Sequence, residues 1–322
     1  MAQGSSAGTL SYQNEKDNLA KTMLSERVRQ KAATLTQFRS LARPEGGFGA
    51  HKGQAVAIEK WQKLDVSTGT IGEFATLPVQ KPAINEVTVT INEYGNGVAQ
   101  TLKAKTIAEY MTSEQLQRVV DVNVMETMDK VVGAVFQTAD VFWTPLGSVG
   151  SETTVNALDT DGTITQTAAR NISAFDFRHI RANLRKANVP YFDGSSYLAV
   201  MNPFGFTALL GDTAAGGIVE LHKYNQPDTL IRGEVGSYAG FRFVEETNVL
   251  SDTIGTQTYN SEVIIIGDDA VVEAMAMPET IKSATWDYDR FLGIAWHTYT
   301  GFAKVWNYAT DGQYQILRVW SV

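Results

Sequence analysis

Histidine, cysteine and carboxylate side chains most often bind metals or catalyse reactions, and this sequence places few of them in a usable spacing. The four histidines are His51, His179, His222 and His297, and none has the H-x-x-H or H-E-x-x-H spacing of a zinc site. The sequence contains no cysteine, which excludes disulfides, thiolate catalysis and cysteine-ligated metals. We therefore expect neither a metal site nor a cofactor.

Three further motifs approach a functional pattern and then depart from it. A calcium-loop pattern over 157–168 would place Ala157 and Ala168 where ligating carboxylates belong. The glycine-rich segment 47–53 lacks the Ser or Thr that follows the lysine of a phosphate-binding loop. The G-x-S-x-G match at 4–8 lies in the polar start with no buried strand before it, so a serine hydrolase would lack the context of its nucleophile. Polar turns and loops are expected at these positions.

Acidic pairs and aromatic residues near the C-terminal end leave an enzymatic alternative open. Asp268-Asp269 and Asp287-Tyr288-Asp289 have the form of paired carboxylates, although acidic turns beside strands are commoner than general acid–base pairs. Aromatic side chains can stack on sugars or bases, but they also dominate cores and interfaces. The aromatic cluster consists of Trp296, Tyr299, Phe302, Trp306, Tyr308, Tyr314 and Trp320. We expect packing and no catalytic site, with a soluble carbohydrate-active or hydrolytic enzyme as the alternative.

Composition favours large subunit contacts over nucleic-acid binding. Hydrophobic residues make up 43% of the 322 residues, whereas charged residues make up only 19%, below the roughly 25% of an average soluble domain. Charged residues are depleted from the centres of interfaces. The formal charge of −8 repels phosphate backbones. No apolar run approaches the roughly 18 residues that span a bilayer, and the polar start is unlike a signal peptide, so a cytoplasmic product is expected.

The N-terminal 45 residues have the pattern of an arm that docks on another surface. After a polar start, apolar residues recur at three- to five-residue intervals from Leu19 to Phe38 and predict one amphipathic helix. Because this helix precedes the predicted compact region, we expect its apolar stripe to contact a neighbouring subunit.

Residues 46–85 have the pattern of an extended two-stranded finger. Glycines punctuate this stretch, and the short apolar segments 55–58 and 74–77 flank a turn at 65–69. An isolated hairpin is marginally stable in water, so the finger should be completed by a neighbour. Its lysines, including Lys60, are expected to be solvated.

Residues 86–190 predict two strands and two helices. Alternating residues 87–91 predict a half-buried strand, which a turn at 94–97 would connect to a second strand near 98–104. Thr112 and Gln115 predict a helix N-terminus. From there, helical spacing up to Phe142 predicts a spine helix of about 30 residues, roughly 45 Å long.

The second of these helices is followed by several predicted buried strands. Ser173 with Asp176 predicts the start of the second helix. Short apolar or aromatic runs predict strands at 197–201, 263–266, 294–308 and 314–320, the last two separated by a turn at 310–312.

The order of these elements resembles the Hong Kong 97 fold of tailed-phage coat proteins, most closely its N-four-like branch. Four segments carry the resemblance: 74–78, similar to the return strand of the finger; EVTVTINEYGNG at 86–97, similar to the strand and turn after it; 233–245, similar to a G-x-x-G turn followed by a strand; and 263–271, similar to a strand near the C-terminal end. The resemblance covers nearly the whole chain.

The resemblance implies an α+β capsid fold and a division of the chain. The expected parts are an N-terminal arm at 1–45, an extended finger (E-loop) at 46–85, a peripheral domain with the spine helix at 86–190, a mainly axial domain at 191–285, and C-terminal strands returning to the body at 286–322. Contacts between subunits are expected at Leu19, Met23, Val28, Leu35, Phe38, Val56, Ile58, Trp61, Leu64, Ile71, Phe74 and Leu77.

The function implied by the resemblance is that of a major capsid protein. Many copies would assemble into hexamers and pentamers of an icosahedral shell, with scaffold, portal and decoration proteins as further partners. The shell would enclose double-stranded DNA without sequence-specific binding, form in the bacterial host cytoplasm and become the virion capsid, with no role for a membrane. An encapsulin-type nanocompartment shell is the alternative within the same fold.

Overall fold

Two β-sheets and one long helix organise the part of the chain that the computed structural model describes. The described residues are 9–10, 33–45, 53–77, 79–107, 113–145, 158–160, 171–211, 236–248, 253–254, 257–258 and 262–321. The helices in these ranges are α1 Phe38–Leu41, α2 Leu102–Ile107, α3 Ser113–Phe136, α4 Ala174–Lys186, α5 Pro203–Leu210 and α6 Tyr308–Asp311. The strands are β1 Thr9–Leu10, β2 Arg43–Pro44, β3 Ala55–Trp61, β4 Ile84–Thr90, β5 Asn92–Thr101, β6 Val141–Trp143, β7 Leu158–Asp159, β8 Tyr197–Met201, β9 Ser237–Tyr238, β10 Phe241–Glu245, β11 Thr253–Ile254, β12 Gln257–Thr258, β13 Val263–Ile266, β14 Val271–Trp286, β15 Phe291–Lys304 and β16 Ile316–Val319.

Among the described residues, the larger sheet has seven strands in the order β7-β6-β16-β13-β8-β10-β9. Its central strands β8 and β13 are antiparallel neighbours, and every residue of both is buried. Successive side chains of a strand point to opposite faces. Tyr197 and Met201 accordingly pack with α4, whereas Leu198 and Val200 pack with the C-terminal half of α3. Both strands were predicted because a strand covered on two faces is apolar throughout.

The spine helix α3 connects this sheet to the second one. Leu116 and Val120 in its N-terminal half pack with Ile294 and Trp296 of β15, while its C-terminal half packs on β8 and β13. The predicted spine helix is therefore confirmed, but its extension to Phe142 is wrong. The helix has 24 residues, about 36 Å in length.

Helix α3 ends at Phe136 because residues 141–143 pair with strand β16 of the seven-stranded sheet. Strand β6 pairs in parallel with β16, and all three of its residues are buried. Lys304 holds the intervening turn by donating hydrogen bonds to the carbonyl of Thr138 at 2.9 Å and to Asp140 Oδ1 at 2.6 Å. Pairing with the sheet thus overrides a helical spacing that continues in the sequence.

Within the described ranges, the second sheet has five strands in the order β1-β5-β15-β14-β2. The predicted turn at 94–97 is wrong, because these residues lie inside β5, which pairs with β15 along its length. A Cβ atom at Gly95 would lie 2.8 Å from the carbonyl oxygen of Trp296, and one at Gly97 would lie 2.7 Å from the Cβ of Ala295. These glycines permit close approach of two strands, a role that local sequence does not distinguish from a turn.

A long hairpin dominates the second sheet and crosses one predicted boundary. Strand β14 has 16 residues, pairs with β15 and runs through the boundary expected between residues 285 and 286, and the division of the chain into domains stays a prediction. Register shifts between Met275 and Thr280 interrupt its pairing and its sequence pattern, which explains why no strand was predicted there. The two C-terminal strands are confirmed as β15 and β16, but they lie in different sheets.

The predicted second helix is confirmed as α4. The Ser173 side chain and the Asp176 side chain form the capping box at its N-terminus. Phe177, Ile180 and Leu184 form its buried face against the seven-stranded sheet. No helix in the described part of the chain is long and apolar enough to span a membrane.

Candidate intersubunit interface: the finger and the arm

The finger is a hairpin of β3 and β4, which are antiparallel with Val56 opposite Val89 and Lys60 opposite Asn85. The return strand predicted at 74–77 is wrong, because that segment has no strand structure and belongs to a loop between the two strands. The hairpin therefore ends at Thr90, beyond the predicted limit of residue 85. The sequence assigns strand β4 to the body, since its alternating pattern does not specify its partner.

One face of the finger hairpin lies against the body of its own chain. Val89 and Lys60 on this face are buried, and Val56 and Ile58 are half-buried. At Gly301 of β15, a Cβ atom would lie 2.2 Å from the carbonyl oxygen of Thr90. This close approach fixes the base of the finger on the five-stranded sheet.

A buried polar cluster also fixes the base of the finger to the body. The cluster is formed by Lys60, Gln62, Asn85 and Asp311. Lys60 Nζ donates hydrogen bonds to the carbonyl of Val305 at 2.9 Å and to Asp311 Oδ2. Asp311 Oδ1 accepts from Gln62 Nε2 at 3.1 Å and from Asn85 Nδ2 at 2.9 Å. Lys60 is only 5% exposed, so the expectation of a solvated lysine is wrong. A buried ammonium needs a partner of opposite charge, and Asp311 supplies it.

The loop between the strands, together with the strand ends beside it, exposes large apolar side chains to solvent in the described part of the chain. Phe74, for example, is 96% exposed. We call this set the apolar finger surface: Trp61, Leu64, Val66, Ile71, Phe74, Leu77, Val79 and Ile84. Contiguous exposed apolar residues of this kind mark interaction sites.

The apolar finger surface contains five of the residues predicted from sequence as subunit contacts, namely Trp61, Leu64, Ile71, Phe74 and Leu77. Their role in a contact stays a prediction. Val66, Val79 and Ile84 were not predicted, because they are isolated apolar residues in a weakly patterned stretch. A count of apolar residues across the whole loop would have included them.

The arm is described at residues 9–10 and from residue 33 onward, so Leu19, Met23 and Val28 lie outside the described residues. Residues 33–37 are not helical, and the only helix in this part is α1. Phe38 is fully buried and stacks on Phe136 of α3 with ring centroids 5.7 Å apart. Its assignment to an intersubunit contact is therefore wrong. Leu35 is 45% exposed, and its role in a contact stays a prediction.

Carboxylates of the body hold the backbone of the arm. The Gln37 N–H donates to Glu246 Oε2 at 2.7 Å, and the Arg39 N–H donates to Asp129 Oδ1 at 3.2 Å. Asn248 Nδ2 joins this arrangement by donating to Asp129 Oδ2 at 2.9 Å and to the carbonyl of Leu35 at 3.0 Å. This segment of the arm is consequently anchored to its own subunit.

Two of these anchoring groups have perturbed acidities. Burial raises the pKa of Asp129, although hydrogen bonds from Asn248 and from the backbone of Arg39 partly offset this effect. Burial likewise raises the pKa of Glu246, and the nearby charge of Asp129 adds to the increase. Both carboxyl groups therefore hold their protons to a higher pH in the folded protein than in the unfolded chain.

These acidities predict a pH dependence of stability. Between about pH 4, where unfolded carboxyl groups titrate, and the raised folded pKa, the folded state binds more protons than the unfolded state. Stability from these groups is therefore complete below that window and is lost as the pH rises through the folded pKa. The slope should reach up to about 1.4 kcal/mol per pH unit for each carboxyl group.

Urea unfolding of the unassembled subunit at successive pH values tests this slope. Glu246→Gln removes one of these titrating carboxyl groups. The free energy of unfolding of this variant should therefore rise relative to that of the wild type as the pH rises through the window. A difference that stays constant with pH would contradict a raised Glu246 pKa.

The residues considered for catalysis do not assemble into a site within the described ranges. No group of three or more His, Asp or Glu side chains there has an arrangement that could hold a metal ion. Asp287, Tyr288 and Asp289 form the exposed tip of the β14–β15 hairpin with positive φ angles of 52°, 53° and 62°. Trp296, Tyr314 and Trp320 are buried in the body, and burial raises the pKa of Tyr314 to about 12. His51 and His222 lie outside the described residues.

No family model matches the sequence, and no curated protein is detectably similar to it. Solved structures, however, resemble the fold along nearly its entire length. The capsid subunit of cyanophage Pam1 aligns with a TM-score of 0.67 at 15% identity, covering 100% of this chain and 99% of that one. A Mycobacterium phage Che8 chain aligns with a TM-score of 0.66 at 15% identity, covering 94% of this chain and 97% of that one. A chain of the Ralstonia phage GP4 capsid aligns with a TM-score of 0.62 at 15% identity, covering 94% of this chain and 96% of that one.

The fold is therefore that of tailed-phage capsid proteins, the Hong Kong 97-type α+β fold expected from the sequence. This confirms the predicted fold class. The N-four-like branch stays a prediction.

Proposed function

We propose that this protein is the major capsid protein of a tailed bacteriophage, a structural subunit that assembles with copies of itself into an icosahedral shell. The observation that carries the proposal is the apolar finger surface, which projects uncovered from a chain with the capsid fold. The fold supplies the class of protein, and the finger supplies the means of association.

The physical argument rests on the contrast between the two parts of the finger. Its base is fixed to the body by Lys60 and Asp311, whereas the loop beyond the base exposes side chains such as Phe74 and Val79 to solvent. Burying one such side chain contributes about 1.5–3 kcal/mol. A neighbouring copy that covers several of them would therefore be held firmly, with the base setting the direction of the contact.

Identical subunits that contact each other through different surfaces form rings when the rotation between them closes. Hexamers and pentamers of this chain would be such rings, and their assembly into a closed shell would bury the finger loops of all subunits. The Leu35 side chain, exposed beside the anchored arm, is a further candidate contact.

The proposal extends to contents and partners. A shell with a formal charge of −8 per subunit repels DNA phosphates, which suits enclosure of double-stranded DNA without sequence-specific binding. Scaffold, portal and decoration proteins would be the other partners, and assembly would take place in the bacterial host cytoplasm before the shell becomes the virion capsid. The similar structures come from phage particles, which favours this function over the encapsulin-type shell and the enzyme.

Substitutions at the apolar finger surface test the proposal. F74S/L77S/V79S should abolish high-mass assemblies in sedimentation velocity, because three exposed apolar side chains would no longer be available for burial. The matched control F74L/L77I/V79I keeps the surface apolar and should still assemble. Thermal unfolding of the unassembled subunits should be alike in both, since these side chains contribute little to the fold.

Assembly of the serine variant at the wild-type concentration dependence would contradict the proposal. Loss of assembly in both variants would also count against it, because the apolar character of the surface would then not be the cause.

A further inference from the structure

The face of the finger hairpin that points away from the body places two carboxylates directly opposite each other. Glu59 on β3 pairs with Glu86 on β4 in the antiparallel register, and both residues are exposed. Opposite residues have Cβ atoms about 5 Å apart, and like charges in such positions destabilise the pairing of the strands. Neither carboxylate forms an ion pair with a basic residue in the described part of the chain. Positive charge brought to this face would therefore stabilise the hairpin.

An apolar pair adjoins the two carboxylates on the same face. Trp61 and Ile84 are the next opposite pair there, and they are 63% and 50% exposed. A partner that covers them would also remove water from the neighbouring carboxylates, which would strengthen the attraction of the carboxylates to a cation. We call these four residues the acidic finger face: Glu59, Trp61, Ile84 and Glu86.

Helix α4 has a face of the opposite charge. Its apolar side packs on the seven-stranded sheet, and its only acidic residue, Asp176, is buried in the capping box. Every exposed residue of α4 except Ala182 is basic. We call these residues the basic helix face: Arg178, His179, Arg181, Arg185 and Lys186.

The basic helix face has no counter-charge within the described ranges. Its arginines and its lysine form no ion pair with a carboxylate there. Two of the arginines are nevertheless held by uncharged neighbours. The guanidinium carbon of Arg185 lies 4.9 Å from the centroid of the Tyr191 ring. A Cβ atom at Gly240 would lie 3.2 Å from Nε of Arg181. These side chains are thus positioned while their charge stays available to a partner.

The acidic finger face and the basic helix face match in spacing. Residues three or four positions apart on a helix have Cβ atoms about 5–6 Å apart. Arg181 has such neighbours on both sides, namely Arg178 and Arg185. The Cβ atoms of Glu59 and Glu86 are separated by a similar distance of about 5 Å. Two arginines of one helix can therefore each reach one of the two carboxylates.

We propose that the acidic finger face of one subunit docks on the basic helix face of an adjacent copy. The inference rests on the proposed function and names the surface that receives the finger. Neither face is neutralised by the described part of its own subunit, and one contact between copies neutralises both. Because the contact joins two different surfaces of identical subunits, it can repeat around a ring.

Duplex DNA is the other partner whose chemistry suits a basic helix face. Phosphates would neutralise the arginines of α4, but they would leave Glu59 and Glu86 opposite each other without a cation. A second copy of the chain supplies a partner for both faces.

Charge reversal followed by sedimentation velocity tests the contact. E59K/E86K and R178E/R181E should each raise the protein concentration needed for half-assembly by about tenfold or more, because like charges would then face each other. The combined variant E59K/E86K/R178E/R181E restores opposite charges across the contact and should regain the concentration dependence of the wild type. Each reversal serves as the test if the other fails to fold, which thermal unfolding of the unassembled subunits detects.

A control variant separates the contact from net charge. E59K/E86K/R118E/K130E has the same formal charge of −8 as the wild type, but its new carboxylates lie at exposed positions of α3. It should stay as defective in assembly as E59K/E86K.

The outcomes distinguish this contact from the proposed function. Wild-type assembly of either reversal variant would overturn the contact and leave the proposed function standing. A combined variant that assembles no better than the single reversals, or rescue by R118E/K130E, would also overturn it. If R178E/R181E assembled normally but no longer retarded duplex DNA in a gel, α4 would be a DNA-binding surface instead. A wild-type protein that assembles under no condition would overturn the proposed function and the contact together.

Discussion

Replacing Glu262 with alanine should lower the free energy of unfolding by about 3–5 kcal/mol. Glu262 is fully buried, and its Oε1 accepts a hydrogen bond from Arg318 Nε at 2.6 Å. Arg318 is itself only 6% exposed and lies over the Trp320 ring, with 4.5 Å between its guanidinium carbon and the ring centroid. The alanine variant would remove the carboxylate that Glu262 provides to this buried guanidinium.

A double variant provides the control for this prediction. In Glu262→Leu with Arg318→Met, both charges are replaced by apolar side chains of similar length, so the loss of stability should be much smaller than in Glu262→Ala. Urea unfolding of the unassembled subunit measures both. If Glu262→Ala lost less than about 1 kcal/mol, the pair would not be buried as described.

The second large effect is expected for Phe136→Ala, which should lower the free energy of unfolding by about 3–5 kcal/mol. Phe136 is fully buried at the end of α3 and packs with Val200, Ile264 and Phe38. The substitution would open a cavity where the spine helix, the seven-stranded sheet and the arm meet.

Val119→Ala on the same helix is the matched control. Val119 is 49% exposed, so its loss should change stability by no more than about 0.5 kcal/mol. A double-mutant cycle of Phe136→Ala with Phe38→Ala should give a coupling of about 0.5–1.5 kcal/mol, because the two rings stack. Additive effects would mean that the arm does not pack on α3 in solution.

The elements predicted correctly are those whose signal is local. Helix α4 begins with a capping box at Ser173, and β8 and β13 are apolar throughout because both of their faces are covered. Such features follow from neighbouring residues alone. The fold class followed from the resemblance of their order to that of Hong Kong 97-type coat proteins.

The errors concern pairings between distant residues. Alternation in β4 indicated a strand but not its partner β3, and Gly97 indicated a turn although it permits close approach of β15. The burial of Lys60 depends on Asp311, which is 251 residues away in sequence. No local sequence pattern predicts a contact between residues so far apart in the chain.

The candidate interface was predicted only in part, because the burial of an apolar residue depends on residues distant in sequence. The exposure of Phe74 and Leu77 follows from their place in a long loop that lacks strand structure. Phe38 has the same apolar character but is buried, because α3 offers it a site beside Gly133, where a Cβ atom would lie 3.0 Å from the Phe38 ring. Sequence identifies apolar residues, and only the fold decides which of them remain available to a neighbouring subunit.

Electron microscopy of the purified protein, alone and with a candidate scaffold protein, tests the central claim most directly. We expect rings of five or six subunits and closed shells, with the apolar finger surface of each subunit covered by an adjacent copy. A 35.2 kDa monomer that stays dispersed at high concentration under all of these conditions would contradict it.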